Sequence, residues 1–187
     1  MFLAYVSGVE RSKIRQWDLT SEEESRVRKA GEIIGQHLFA VDLPEFTISK
    51  IEETIDYYVE RHNIKVVAFD YLHFNYQLGA EISKQGSVSN REDMCLNELS
   101  RALKNCSLKH NIPVLTGTQL NRNSREKRQP DSTWLSGGLS QEFKADAVFI
   151  ITQITKEDMA DLEAYQSFYT DETAPTHCIH AIKARDS

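Results

Sequence analysis

The chain has 187 residues, 40% of them hydrophobic and 27% charged, with a formal net charge of -6. That length supports one domain with a sizeable core and barely two, and the acidic balance excludes a protein that coats nucleic acid over its whole surface, leaving room only for a local basic contact. Cys95, Cys106 and Cys178 are scattered, odd in number and never in C-x-x-C spacing, which suggests neither a disulfide framework nor a structural zinc site and fits a reducing cytoplasm best.

The N-terminal stretch "MFLAYVSGVERSK" reaches its first charges after about nine apolar or small residues and has no basic n-region, so it fits neither a signal peptide nor a membrane span. Thr20 and Glu23 then have capping-box spacing, with Glu22 to Glu24 where the helix dipole favours acids, which predicts a helix from about 21 to 36. "HLFAVDLPEF" carries a short apolar run broken at Asp42 and Pro44 and reads as a strand. Ser49 and Glu52 repeat the capping-box spacing before Ile51, Ile55, Tyr58 and Val59 on one helical face.

"IKVVAFDYLHF" is a continuous apolar run, as expected of a strand buried on both faces of a parallel sheet, and it ends on Asp70. The polar "NYQLGAEISKQGSVSN" that follows, with two glycines, reads as a mobile loop. "REDMCLNELSRALKNCSLKH" places Met94, Leu99, Ala102, Leu103 and Cys106 close to helical spacing, and "NIPVLTGT" returns as a strand that leads to Gln119. Further strands are expected at 147 to 154 and 177 to 184, separated by a polar stretch that reads as a short helix or a surface excursion. Strands alternating with helices predict an α/β fold with a parallel sheet and right-handed crossovers.

Ligands of open α/β sheets bind beyond the carboxyl ends of the strands, where Asp70 and Gln119 both fall. An apolar strand ending in Asp is a pattern that holds magnesium near nucleotide phosphates, although Asp70 taken alone reads more readily as a turn residue that caps a loop, and Gln119 alone is served by satisfying backbone groups where the strand leaves the sheet. Arg122, Arg125, Lys127 and Arg128 set four positive charges against Glu126, either as a solvated loop or as a phosphate-contacting one. Gly137 and Gly138 allow close backbone approach to a phosphate, or simply a turn. His177 and His180 are three apart on a strand, hence on opposite faces, and share no metal. Lys183 and Arg185 are two apart, on one face near the strand's end, where two cations complement carboxylates or reach a neighbouring subunit's phosphates.

Taken together, "VVAFDYLHF", "PVLTGTQLNR", "LSGGLSQEFKADAVFI" and "IHAIKARDS" resemble, in order and spacing over about residues 1 to 187, the RecA-type motor domain of DnaB-like replicative helicases. The stretch from Ser136 to Asp146 is longer than the family's interval. The resemblance implies a RecA-like P-loop NTPase core with a mainly parallel sheet flanked by helices, working as a ring hexamer that couples ATP hydrolysis to translocation on single-stranded DNA in the cytoplasm. By position it implies Asp70 for Mg2+, Gln119 as the γ-phosphate sensor, and Lys183 with Arg185 as a finger on the adjacent subunit's ATP. The loops after Asp70 and before Gly137 would line the channel, with Arg122, Arg125, Lys127, Arg128, Gly137 and Gly138 as DNA contacts.

No G-x-x-x-x-G-K-[ST] occurs in the chain, so the phosphate-cradling Walker A loop and its strand are missing from it. In the family these elements lie N-terminal to the region matched here. The chain alone is therefore expected to lack ATPase activity, and to leave a strand edge and apolar side chains uncovered, so that it self-associates, rearranges its N-terminal segment or needs a partner. A second reading is a non-catalytic remnant that binds single-stranded DNA or helicase subunits. A RecA-fold recombination or regulatory ATPase fits the Gln-Leu-Asn-Arg and Lys-x-Arg segments less well.

Overall fold

The computed structural model describes residues 2–84, 91–120, 134, 144–155 and 175–184. They form two compact units, residues 1–44 and 45–187. The first holds helices α1 (Phe2–Ser7), α2 (Arg11–Gln16) and α3 (Ser21–His37). The expected capping box is present: Thr20 accepts from the Glu23 amide at 3.2 Å, and the Glu23 carboxylate accepts from the Thr20 amide at 2.9 Å. Lys13 reaches the same carboxylate at 2.8 Å, and its hydrogen bond is the main reason the Glu23 carboxyl is held down at about 2. Val9, Val27 and Ala30 are buried.

The strand expected in "HLFAVDLPEF" does not form; residues 38–43 have no regular structure, and Leu38, Phe39 and Val41 stay 40–44% exposed. An extended apolar segment becomes a strand only where a neighbouring strand supplies the ladder bonds, and among the described residues 38–43 belong to no strand pair.

In the second unit, α4 (Ile48–His62) and α6 (Glu92–His110) pack together, and each ends on an asparagine in the left-handed conformation, Asn63 and Asn111, both at φ 52°. Asparagine tolerates that conformation where most residues do not. The N-cap of α4 is Thr47, which accepts from the Lys50 amide at 3.1 Å, so the Ser49–Glu52 pair does not form the predicted box. Helix α5 (Tyr76–Lys84) occupies a stretch expected to be loop. Its reason is local: the Asn75 carboxamide oxygen caps the Leu78 amide at 2.9 Å, and Leu78, Gly79 and Ile82 bury one side. In α6, Leu99, Ala102, Leu103 and Cys106 are buried as expected together with Cys95 and Leu96, whereas Met94 is 43% exposed.

Among the described residues the strands form two separate pairs. β1 (Val67–Phe69) and β2 (Val114–Thr116) are parallel, with Val67 opposite Val114 and Phe69 opposite Thr116. β3 (Ala147–Gln153) and β4 (His177–Ala184) are antiparallel, with an irregularity between Val148 and Phe149. Near the start of β3, Lys144 donates to the Asn97 carbonyl at 2.7 Å and Lys104 pairs with Asp146 at 2.6 Å, tying β3 to α6. Apolar side chains are uncovered on both pairs: Leu115 (61%), Phe149 (59%), Ile151 (61%) and Ile179 (70%). Strands apolar on both faces are normally covered on both, and here one face is open.

Candidate functional site

Parallel pairing of β1 with β2 brings their carboxyl ends to one place. Asp70 is the first residue after β1, and Gly117 to Gln119 follow β2. The pairing continues beyond the strands: the Thr116 hydroxyl donates to the Phe69 carbonyl at 2.7 Å, and the Leu72 amide donates to the Gly117 carbonyl at 2.9 Å. The Asp70–Tyr71 peptide is cis. The Gln119 carboxamide donates to the Tyr71 hydroxyl at 3.4 Å, so Asp70 and Gln119 are connected through Tyr71. Both Asp70 and Gln119 are exposed, open to a ligand from solvent.

Aromatic packing supports this end of the sheet. Phe46, 1% exposed, sets its ring edge-to-face against Phe69 at 5.5 Å and His73 at 5.0 Å, and His73 lies 5.3 Å from Tyr71. A T-shaped pair fixes ring orientation as well as burying area. Further along, the Asn75 side chain donates to the Phe46 carbonyl at 3.1 Å, Gln77 to the Glu45 carboxylate, and the Glu81 carboxylate accepts from the amides of Ile48 at 2.6 Å and Ser49 at 3.1 Å and from the Ser49 hydroxyl. The segment after Asp70 is thereby strapped to the entrance of α4.

Among the described residues no group of three or more His, Cys, Asp or Glu is placed to enclose a metal. Asp70 is an exposed carboxylate at this end of the pair; a magnesium ion, where proteins hold one, keeps several waters and takes one or two carboxylates.

Lys183 lies on β4, opposite Val148 of β3, on a different strand pair from Asp70 and Gln119. His177 and His180 take separate neighbours, Thr176 and Thr152, each at 2.9 Å. Arg122, Arg125, Lys127, Arg128, Gly137, Gly138 and Arg185 lie outside the described residues, as does the polar stretch 156–174. Sequence reasoning missed Tyr71, Thr116 and Glu81. Tyr71 and Thr116 adjoin flagged segments and were accessible in principle, whereas Glu81 acts across 33 positions on Ile48, beyond any local pattern.

A sequence model of the DnaB-like helicase C-terminal domain matches residues 1–185. An uncharacterized SPbeta prophage-derived protein of Bacillus subtilis, YorI, is 34% identical over 182 residues, covering 94% of this chain and 36% of that protein. The replicative DNA helicase DnaB of Rickettsia typhi is 26% identical over 176 residues, covering 90% of this chain and 34% of the helicase. Among solved structures, a DnaB-like replicative helicase studied with its interactions with primase superposes with a TM-score of 0.68 at 17% identity, covering 99% of this chain and 42% of that one. The chain thus spans about a third of the length of the curated relatives it matches, and its fold is the RecA-like α/β fold of that helicase.

Proposed function

The chain belongs to the family of DnaB-like helicase C-terminal domains, and from that premise we propose that residues 1–187 form part of one ATP-driven motor domain that translocates on single-stranded DNA as a ring hexamer in the cytoplasm. The observation that carries the reading is the convergence of Asp70 and Gln119 beyond the parallel β1–β2 pair, linked by Tyr71. ATP and Mg2+ are its cofactors, the ion neutralising charge on the β- and γ-phosphates when bound. Asp70 orients that ion's water shell through its carboxylate. Gln119, a neutral donor and acceptor, senses the γ-phosphate, and a change in its hydrogen bonding passes to Tyr71 and the strapped segment behind it.

Lys183 and Arg185 serve the adjacent subunit, their charges offsetting those that spread over the transferring phosphoryl group. The basic stretch Arg122, Arg125, Lys127 and Arg128, with Gly137 and Gly138, holds the DNA backbone. No glycine-rich phosphate loop occurs among the 187 residues, so the grip on the phosphates is assigned to a part of the motor outside them. Its strand extends the β1–β2 pair toward a mainly parallel sheet, and the rest of the motor covers the faces that carry Leu115, Phe149 and Ile151, which are now exposed. The test is Arg185→Ala in the complete enzyme. Hydrolysis should be abolished with nucleotide binding and fold retained, and near-normal turnover would remove the trans-acting role.

A further inference from the structure

Tyr71 follows Asp70 directly, and its hydroxyl accepts from the Gln119 carboxamide at 3.4 Å. A phenolic oxygen that accepts still keeps its own hydrogen to donate, and among the described residues nothing takes that hydrogen. Tyr71 is 38% exposed, and Asp70 and Gln119 are exposed beside it. At 3.4 Å the bond from Gln119 is long for its type. A hydrogen bond to an ionised oxygen is roughly twice as strong as one between neutral groups, so both Gln119 and Tyr71 gain by giving up this contact for an anionic acceptor.

Two contacts set the orientation of Tyr71. The Nδ1 of His73 lies 3.0 Å from the Tyr71 carbonyl; a carbonyl only accepts, so this nitrogen carries the hydrogen and donates. The His73 ring also lies 5.3 Å from the Tyr71 ring, and it is backed by Phe46, whose buried ring stands edge-to-face against His73 and against Phe69 of β1. A side chain held at both its backbone and its ring has less freedom left to lose when its hydroxyl meets a ligand.

We propose that Tyr71 is a second γ-phosphate contact: its O–H donates to a γ-phosphate oxygen of bound ATP beside the Gln119 carboxamide, and His73 is the positioning residue that aims it. This rests on the reading of Gln119 as the γ-phosphate sensor. The donor is neutral, so it adds recognition of the terminal phosphate without adding charge. With a diphosphate bound, the Gln119–Tyr71 bond re-forms, and the pair thereby distinguishes the two nucleotide states.

The test uses the complete polypeptide with Mg2+ and two probes, ADP and the non-hydrolysable β,γ-methylene analogue of ATP, each titrated calorimetrically. Tyr71→Phe keeps the ring and removes only the hydroxyl. It should weaken binding of the analogue about tenfold and leave ADP affinity unchanged. His73→Ala should weaken the analogue in the same selective way, with partial recovery in His73→Asn, whose carboxamide keeps a donor. A fluorotyrosine placed at position 71 gives a reading that does not depend on how the variants fold: its fluorine resonance should move further with the analogue than with ADP. Wild-type affinity for the analogue in Tyr71→Phe, or a fluorine response identical for the two nucleotides, overturns the contact. Wild-type affinity in a folded His73→Ala overturns the positioning role. Gln119→Ala separates the proposal from the reading beneath it. Lost preference for the analogue there beside an indifferent Tyr71→Phe overturns the Tyr71 contact alone, whereas an unchanged preference in Gln119→Ala overturns the sensor and the proposal with it.

Discussion

Replacing Glu81 tests the strap that holds the segment after Asp70. The first amides of a helix have no partner within it, and at α4 they are met from two sources: Thr47 takes the Lys50 amide, and the Glu81 carboxylate takes those of Ile48 and Ser49. A carboxylate at a helix N-terminus also meets the positive end of the helix dipole. Glu81→Ala leaves Thr47 in place, so α4 survives while two amides and the Ser49 hydroxyl lose their acceptor to water. By analogy with removal of an N-cap the loss is about 1–2 kcal/mol, which for a chain of this size lowers the thermal midpoint by about 2–8 °C. Glu81→Gln keeps an oxygen but not the charge and should fall between. Thermal unfolding gives the midpoint, and hydrogen exchange should quicken at Ile48 and Ser49 and along α5, with α3 unaffected. An unchanged midpoint together with unchanged exchange at Ile48 and Ser49 would refute the strap.

Asp56 on α4 accepts from Lys109 at 2.7 Å and lies 2.5 Å from His110, both on α6. The Lys109 hydrogen bond is the main cause that lowers its pKa from the ordinary 3.8, with burial opposing and His110 assisting. A carboxyl lowered in the folded state adds stability above its unfolded value, and that stability is lost as pH falls through the folded value. Asp56→Asn should therefore destabilise the chain at neutral pH and flatten the acid limb below pH ~4; parallel pH–stability curves would contradict this. Leu99 is fully buried while Leu108 on the same helix is 66% exposed, so Leu99→Ala should cost about 2–5 kcal/mol in urea unfolding and Leu108→Ala less than about 0.5. Equal effects would show that α6 is seated differently. Neutralising Arg125, Lys127 and Arg128 together should reduce the slope of log affinity for single-stranded DNA against log salt by about 2, and an unchanged slope would exclude these residues from the contact.

Much of the site could be read locally. The apolar run ending at Asp70 and the strand leading to Gln119 are short-range patterns, and β1 and β2 realise them with the two residues at one end. The Thr20–Glu23 box was legible because both partners lie within one turn. Tertiary interactions stayed hidden. Helix α5 sits in a polar stretch whose buried Leu78 and Ile82 are too few to outweigh the loop signals around them, and its tie to α4 depends on Glu81, remote in sequence. The composition of Leu38 to Val41 suggests a strand, yet strand formation requires a partner edge, and among the described residues this stretch joins no strand pair. The division of the described strands into two pairs could not be read from patterns that identify strands singly.

The most direct test of the motor assignment is magnesium-dependent ATP hydrolysis by the complete polypeptide, with the wild type and Asp70→Ala measured side by side and their circular dichroism compared. The account predicts that Asp70→Ala folds normally and loses turnover by about a hundredfold or more, as removal of a preorganised charge-stabilising group does. Turnover close to wild type in a folded Asp70→Ala enzyme would contradict it.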